Sequence, residues 1–292
     1  MRHARGFTLV ELVVVIVLGA IVATTLAVFF RPALEAYMAT RTRAQLADQA
    51  DTALRRMVRE VRSAVPNSIR TPSTQCFELV PTTMGGRLRR AADTVHDASP
   101  GCDPAADCSA PLDPSRATTA VDVLSPLPAP PAVGDHLVVG NQNAGDVYAG
   151  TNRAAITAVS TPRSTDGRMR LAVASTQFPL GYDGGRFVVV SASQQAVFYV
   201  CSGADGTLDA NGHGKGTLAR VSGYGFNALH PGACPSASGA DVLATRVRSC
   251  QFIHDPAHGA TQQNGFVWLQ LELAEHGESV HLAVGAHVSN VP

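Results

Sequence analysis

The feature that most constrains this chain is an unbroken apolar run from Phe7 to Phe30, FTLVELVVVIVLGAIVATTLAVFF, with a single ionisable residue inside it, Glu11. The run covers 24 residues. At about 1.5 Å per helical residue it spans roughly 36 Å, enough for the hydrocarbon core of a bilayer with some tilt. A secretory signal has a shorter apolar core and a small-residue cleavage site behind it. Here Arg31-Pro32 follows the run, so the expectation is an anchor. Arg2 and Arg5 precede it, which by the positive-inside rule keeps the short N-terminus cytoplasmic and sends the remainder to the periplasm. The six cysteines, Cys76, Cys102, Cys108, Cys201, Cys234 and Cys250, all lie beyond the run, which suits an oxidising compartment. Glu11 is the anomaly. A carboxyl inside a membrane helix costs several kcal/mol and marks a function with a nearby partner. If the chain were cut after Gly6, the new α-amino group at Phe7 would lie one helical turn from Glu11. In a low-dielectric setting such a pair is far stronger than in water.

The stretch R-G-F-T-L-V-E-L resembles the type III signal of type IV pilins and pseudopilins. The resemblance implies a leader, residues 1–6, removed by a prepilin peptidase between Gly6 and Phe7, with N-methylation of Phe7. It implies that Glu11 aligns each subunit with its neighbour during assembly. The partners it implies are other major and minor pilins, the peptidase and an inner-membrane assembly platform. The fold it implies is α+β, a long N-terminal helix packed on an antiparallel β-rich head. Four stretches beyond the apolar run, DTALRRMVREVRSAVPNS, VYAGTNRAAI, LARVSGYGFN and GESVHLAVGAHVSNVP, are similar to minor pilins of this family. Two alternatives stay open. One is a minor pseudopilin of type II secretion; the other is a membrane-anchored periplasmic binding module that never polymerises.

Beyond the run, 31–65 continues as an amphipathic segment. Leu46, Ala50, Leu54, Met57, Val58, Val61 and Val65 recur at gaps of three and four, and Arg55, Arg56, Arg59, Glu60 and Arg62 take the other face. Pro66 stops it, and Pro32 is either a kink or the start of a new helical segment. Gly19, Thr24, Thr25 and Pro32 are candidate points of local unwinding. Together 7–65 would make a rod of roughly 85–90 Å. The arginine face could meet anionic lipid or nucleic acid, but solvation and pairing with Asp48, Asp51 or neighbouring subunits is the simpler reading. The chain has 23 basic and 23 acidic residues, a balance unlike that of a nucleic-acid binder.

From 66 to 292 the pattern changes to short apolar runs between turn signals. Expected strands are Cys76–Val80, His136–Val139, Ala154–Val159, Met169–Ala174, Phe187–Val190, Ala196–Cys201, Leu218–Val221 and Val242–His254, ending in a hairpin of Phe266–Glu272 and Val280–Val288. The Pro/Ala/Ser/Asp-rich stretch 97–134 reads as a disulfide-ordered loop or a mobile excursion outside the core. A second excursion covers 203–233. Six cysteines allow many pairings. Spacing suggests Cys102 with Cys108 and Cys201 with Cys234, leaving Cys76 with Cys250.

Other candidate sites are weak. Asp205, Asp209 and Asn211 sit in a glycine-rich loop and could offer oxygens to calcium, without the spacing of an EF-hand. His254 and His258 are separated by Pro256, and His276, His281 and His287 lie on or near the last hairpin without completing a zinc set. GHGKGT at 212–217 lacks phosphate-loop spacing. No nucleophile elbow or catalytic carboxylate pair stands out, so neither enzyme activity nor a cofactor is expected.

Overall fold

The computed structural model describes residues 7–98, 102–103, 107–179, 185–258 and 264–289. A single helix, α1 (Leu9–Arg62), dominates the N-terminal part. Thr8 is its N-cap, in extended conformation, and its hydroxyl accepts from the Glu11 backbone N–H at 3.3 Å. Arg59 and Arg62 in the last turn complement the negative end of the helix dipole. The helix runs unbroken through Gly19, Thr24, Thr25 and Pro32. Its large apolar residues from Phe7 to Met38 are exposed. Burial begins at Leu46 and continues at Ala50, Ala53, Leu54, Met57 and Val61, the face that the spacing of three and four defines.

The strands follow in order. They are β1 (Arg70–Ser73), β2 (Cys76–Leu79), β3 (Met84–Arg87), β4 (Thr118–Val123) and β5 (His136–Val138), then a one-turn helix α2 (Asp146–Ala149). Next come β6 (Arg153–Ser160), β7 (Met169–Thr176), β8 (Arg186–Val190) and β9 (Val197–Ser202). The chain ends with β10 (Gly216–Val221), β11 (Asp241–His258), β12 (Asn264–Glu275) and β13 (Glu278–Ser289). Every pairing between these strands is antiparallel.

They form two sheets. The seven-stranded sheet has the order β1-β2-β9-β10-β11-β12-β13. One face packs on the lower half of α1, burying Met57, Phe77, Tyr199, Leu218, Phe252, Leu269 and Leu271. Along β12 the alternation is clear: Val267, Leu269, Leu271 and Leu273 are buried while Trp268 is partly exposed. The final hairpin turns at His276 and Gly277, both with positive φ, 53° and 80°. That is the type I′ geometry whose twist matches the flanking strands, and it favours glycine at the second position.

The six-stranded sheet has the order β3-β8-β5-β6-β7-β4. Its two ends meet. Leu88 bridges Val123, the Arg89 N–H donates to Asp122 O at 2.8 Å, and the Leu124 N–H donates to Arg87 O at 2.9 Å. The sheet is therefore a small closed barrel, filled by Val121, Val123, Leu137, Ile156, Leu171 and Phe187 among others. It is inserted between β2 and β9, which are neighbours in the other sheet. A small shared cluster of Val65, Val80, Val138, Tyr148 and Val190 joins the two units.

Two expectations are corrected. The 97–134 segment is not outside the core, because it supplies β4 and buries Ala110, Leu112, Val121 and Val123. The cysteine pairing also differs. Cys102 joins Cys108, but Cys76 joins Cys234 and Cys201 joins Cys250. The reason is the side of the sheet. Cys76 is opposite Val200, so it shares a face with Val200 and not with Cys201. Cys201 points into the helix-facing core, against which Cys250 packs. Cys76 lies in the cluster on the other face, against which Cys234 packs.

Candidate processing and assembly site at the N-terminus

The described chain starts at Phe7, which is exposed together with Thr8, and Gly6 lies outside the described residues. Thr8, Leu9, Val10 and Glu11 form T-x-x-E, the sequence signature of a capping box. Thr8 satisfies the N–H of Glu11, one of the donors that every helix start leaves orphaned. Glu11 stands in the first turn, where a negative charge is favoured by the helix dipole. The sequence reading assigned Glu11 a partner outside its own side chain and missed the cap; the T-x-x-E spacing was the signal. The apolar part of α1 is long enough to cross a membrane, and none of it is buried in the chain's own fold. The helix therefore presents a lipid-compatible cylinder with one carboxylate near its tip, four residues from Phe7.

The head's candidate groups do not converge on a site. Asp205 accepts from Thr207 N and Oγ1 at 2.9 and 2.6 Å, and those bonds hold its carboxyl below the usual range. Asp209 accepts from the backbones of Asn211 and His213, the latter contact chiefly depressing its pKa. Of the calcium candidates Asp205, Asp209 and Asn211, the two carboxylates thus cap their own loop, and Asn211 enters only as a backbone donor to Asp209. Lys215 of the GHGKGT stretch folds back onto Thr207 Oγ1 at 2.6 Å, and β10, not a helix, follows it. That is no phosphate cradle.

His258 pairs with Asp255 at 3.0 Å and stacks on Phe266, while His254 is half-buried and held below the ordinary imidazole pKa by burial. His281 and His287 share a face of β13 by their even spacing, but only His287 reaches the Phe266 ring. Among the described residues, His213, Glu275 and His276 do lie close enough to share an ion. The His276 backbone N–H donates to His213 Nδ1 at 3.2 Å, so the proton of that neutral ring sits on Nε2. A metal on Nε2 would need that proton on Nδ1, against the N–H already there. The cluster clasps the β12–β13 turn to the glycine-rich loop, aided by Gly277 N–H donating to Gly212 O at 3.0 Å.

Residues 1–27 match the family described as the prokaryotic N-terminal methylation motif. No significant match to the chain was found among curated proteins or among solved structures. The motif supports a type IV pilin or pseudopilin, a class of proteins that in general meet a prepilin peptidase and other pilins. The architecture agrees in kind: a long N-terminal apolar helix followed by antiparallel sheets, an α+β pilin-like fold.

Proposed function

We propose that this chain is a minor type IV pilin, of the kind represented by the O protein of MSHA-type pilus biogenesis. The observation that carries the pilin reading is the methylation motif leading directly into an exposed apolar half-helix with Glu11 one turn from Phe7. The O-type reading rests on the four stretches quoted above. The chain is made as a prepilin in the inner membrane, with its head in the periplasm. The peptidase cuts between Gly6 and Phe7 and Phe7 is methylated.

Assembly then exchanges lipid around α1 for neighbouring helices. Lipid is as apolar as leucine, so this exchange gains little from the hydrophobic effect itself. Close packing contributes, and Glu11 gains a cationic partner in a low-dielectric surrounding. A carboxylate that is costly in lipid becomes favourable only in the one axial register that places an amine beside it, and this sets the stagger of the fibre. The head meets other minor pilins at an initiating or tip complex.

The test is intact N-terminal mass spectrometry of membrane-extracted protein, with and without the prepilin peptidase. The expected species begins at N-methylated Phe7 and appears only with the peptidase. A chain that keeps residues 1–6 in both strains removes this reading and leaves a membrane anchor. Glu11→Val should leave the cut intact and remove the protein from sheared pili.

A further inference from the structure

The two edges of the seven-stranded sheet are unequal. β1 is four residues long and contains Pro72, two devices that discourage pairing with another strand. β13 has 12 residues, about 40 Å of strand. From Ser279 to Ser289 it contains no proline, lysine, arginine or acidic residue. Among the described residues, β12 is its only strand partner. The type I′ turn makes Glu275 and Glu278 a hydrogen-bonded pair. By alternation, Ser279, His281, Ala283, Gly285 and His287 then aim their N–H and C=O groups away from β12, toward open solvent.

The edge is one wall of a groove of about 710 Å³. Leu282, Ala283 and Val284 form that wall, and Val58, Arg59 and Arg62 of α1 face it. Arg55 nearby is neutralised by Asp51 at 2.5 Å. Arg59 and Arg62 are exposed and have no carboxylate within ion-pair reach among the described residues. The groove thus offers backbone donors and acceptors on one side and two unpaired guanidiniums on the other.

We propose that this edge and groove dock an extended acidic segment of another protein, which adds beyond β13 as a further strand and sets its carboxylates against Arg59 and Arg62. Strand addition supplies affinity through the main chain, and alternate side chains supply selectivity. Arginine suits carboxylate geometry through its planar fork. A second copy's β13 does not meet these demands. Beyond Glu278 it carries no carboxylate. In addition, α1 and β13 run in the same direction, since Arg43 pairs with Glu278 at the start of β13 and Asp51–Ser63 flank Leu282–Val284. Antiparallel pairing of two β13 edges would point the two apolar half-helices in opposite directions, which one membrane does not accommodate. The proposal needs only the head, and holds whether or not the chain polymerises.

The full chain in detergent micelles would be mixed with a labelled peptide of alternating valine and glutamate, and separately with its valine–lysine counterpart. The readouts are binding anisotropy and hydrogen exchange by mass spectrometry. The glutamate peptide should bind and slow exchange across Ser279–His287, and the lysine peptide should do neither. The double variant Arg59→Glu/Arg62→Glu, on an exposed helix face that leaves the core untouched, should weaken binding by more than about tenfold, the loss expected when charge-assisted hydrogen bonds are removed. Equal binding of both peptides, binding without protection of β13, no binding at all, or full affinity in the double variant would each overturn the proposal.

Discussion

The barrel and the open sheet are built from the same material, short antiparallel strands of valine, leucine, alanine and phenylalanine, yet they solve opposite problems. The barrel closes through Leu88–Val123 and the flanking backbone bonds, so its strands leave no long edge. It needs nothing else to cover it, because its apolar side chains point inward. The sheet cannot close. It buries one face under α1 and keeps a bare edge at β13. Closure makes a self-sufficient unit; openness makes a unit that depends on its helix and keeps a place for something else. The difference lies in connectivity, since the barrel's ends are brought together by residues far apart in sequence.

The comparison can be tested where the effects are largest first. The Cys76–Cys234 bridge closes a loop with a sequence separation of 158 that contains the whole barrel, whereas Cys102–Cys108 closes one of 6. On loop-closure entropy, Cys76→Ala/Cys234→Ala should cost about 5 kcal/mol and Cys102→Ala/Cys108→Ala roughly 2 kcal/mol. Denaturant midpoints of the two variants check this, and equal losses would show that strain or residual structure, not loop length, governs both.

Next is the barrel's internal ion pair. Asp122 is fully buried and accepts from Arg170 at 2.7 and 3.0 Å and from the Ala110 N–H at 2.7 Å. Asp122→Ala removes the nearest carboxylate from a buried guanidinium, leaving Asp166 at 3.9 Å as a longer contact, and should cost about 3 kcal/mol. Hydrogen exchange should show the loss confined to β3–β8, with the open sheet unmoved. A matching loss in β11–β13 would mean that the two units unfold as one.

Core truncation in the open sheet mirrors that test. Phe252, packed edge-on against Phe77 with ring centroids 5.2 Å apart, should cost about 3 kcal/mol or more when changed to alanine, with the barrel amides unaffected.

The smallest effect is a pH dependence that each unit carries separately. Burial, with Arg153 adding to it, holds His136 of the barrel below its ordinary pKa, and burial does the same to His254 of the sheet. Such a group stabilises the fold above its unfolded pKa, and that contribution fades as the pH falls through the folded value, because the unfolded state takes up the proton first. Stability should therefore drop between about pH 7 and pH 5. His136→Leu should flatten the drop in the barrel's exchange rates and His254→Leu the drop in the sheet's. Thermal unfolding and exchange across that range decide it.

Much of the open sheet was legible in the sequence. β9 to β13 announce themselves as apolar runs between turn signals, and the buried face of α1 by period 3.6. The barrel was legible strand by strand, for β5 to β8, but not as a barrel. β3 is Met-Gly-Gly-Arg, with no apolar pattern to find, and β4 sits inside a proline-rich stretch whose composition argues for a loop. Closure is a matter of long-range register, which local periodicity does not carry. Spacing found the Cys102–Cys108 bridge but not the other two, for a related reason: their pairing depends on which face of the sheet each cysteine occupies, and spacing says nothing of faces. At the N-terminus the motif was fully readable, and only the Thr8 cap was overlooked.

The barrel leaves the sheet after β2 and returns at β9, and these two strands are paired directly, with Leu79 opposite Val197. Viewed by connectivity alone, β2 and β9 are a hairpin whose loop happens to be a folded unit. A short turn joining residues 80 and 196 would preserve every register of the sheet. The scaffold that carries the helix, the core beneath it and the β13 edge is thus separable from what it displays. The barrel can therefore be exchanged, enlarged or discarded at a single point without disturbing the helix and the sheet beneath it.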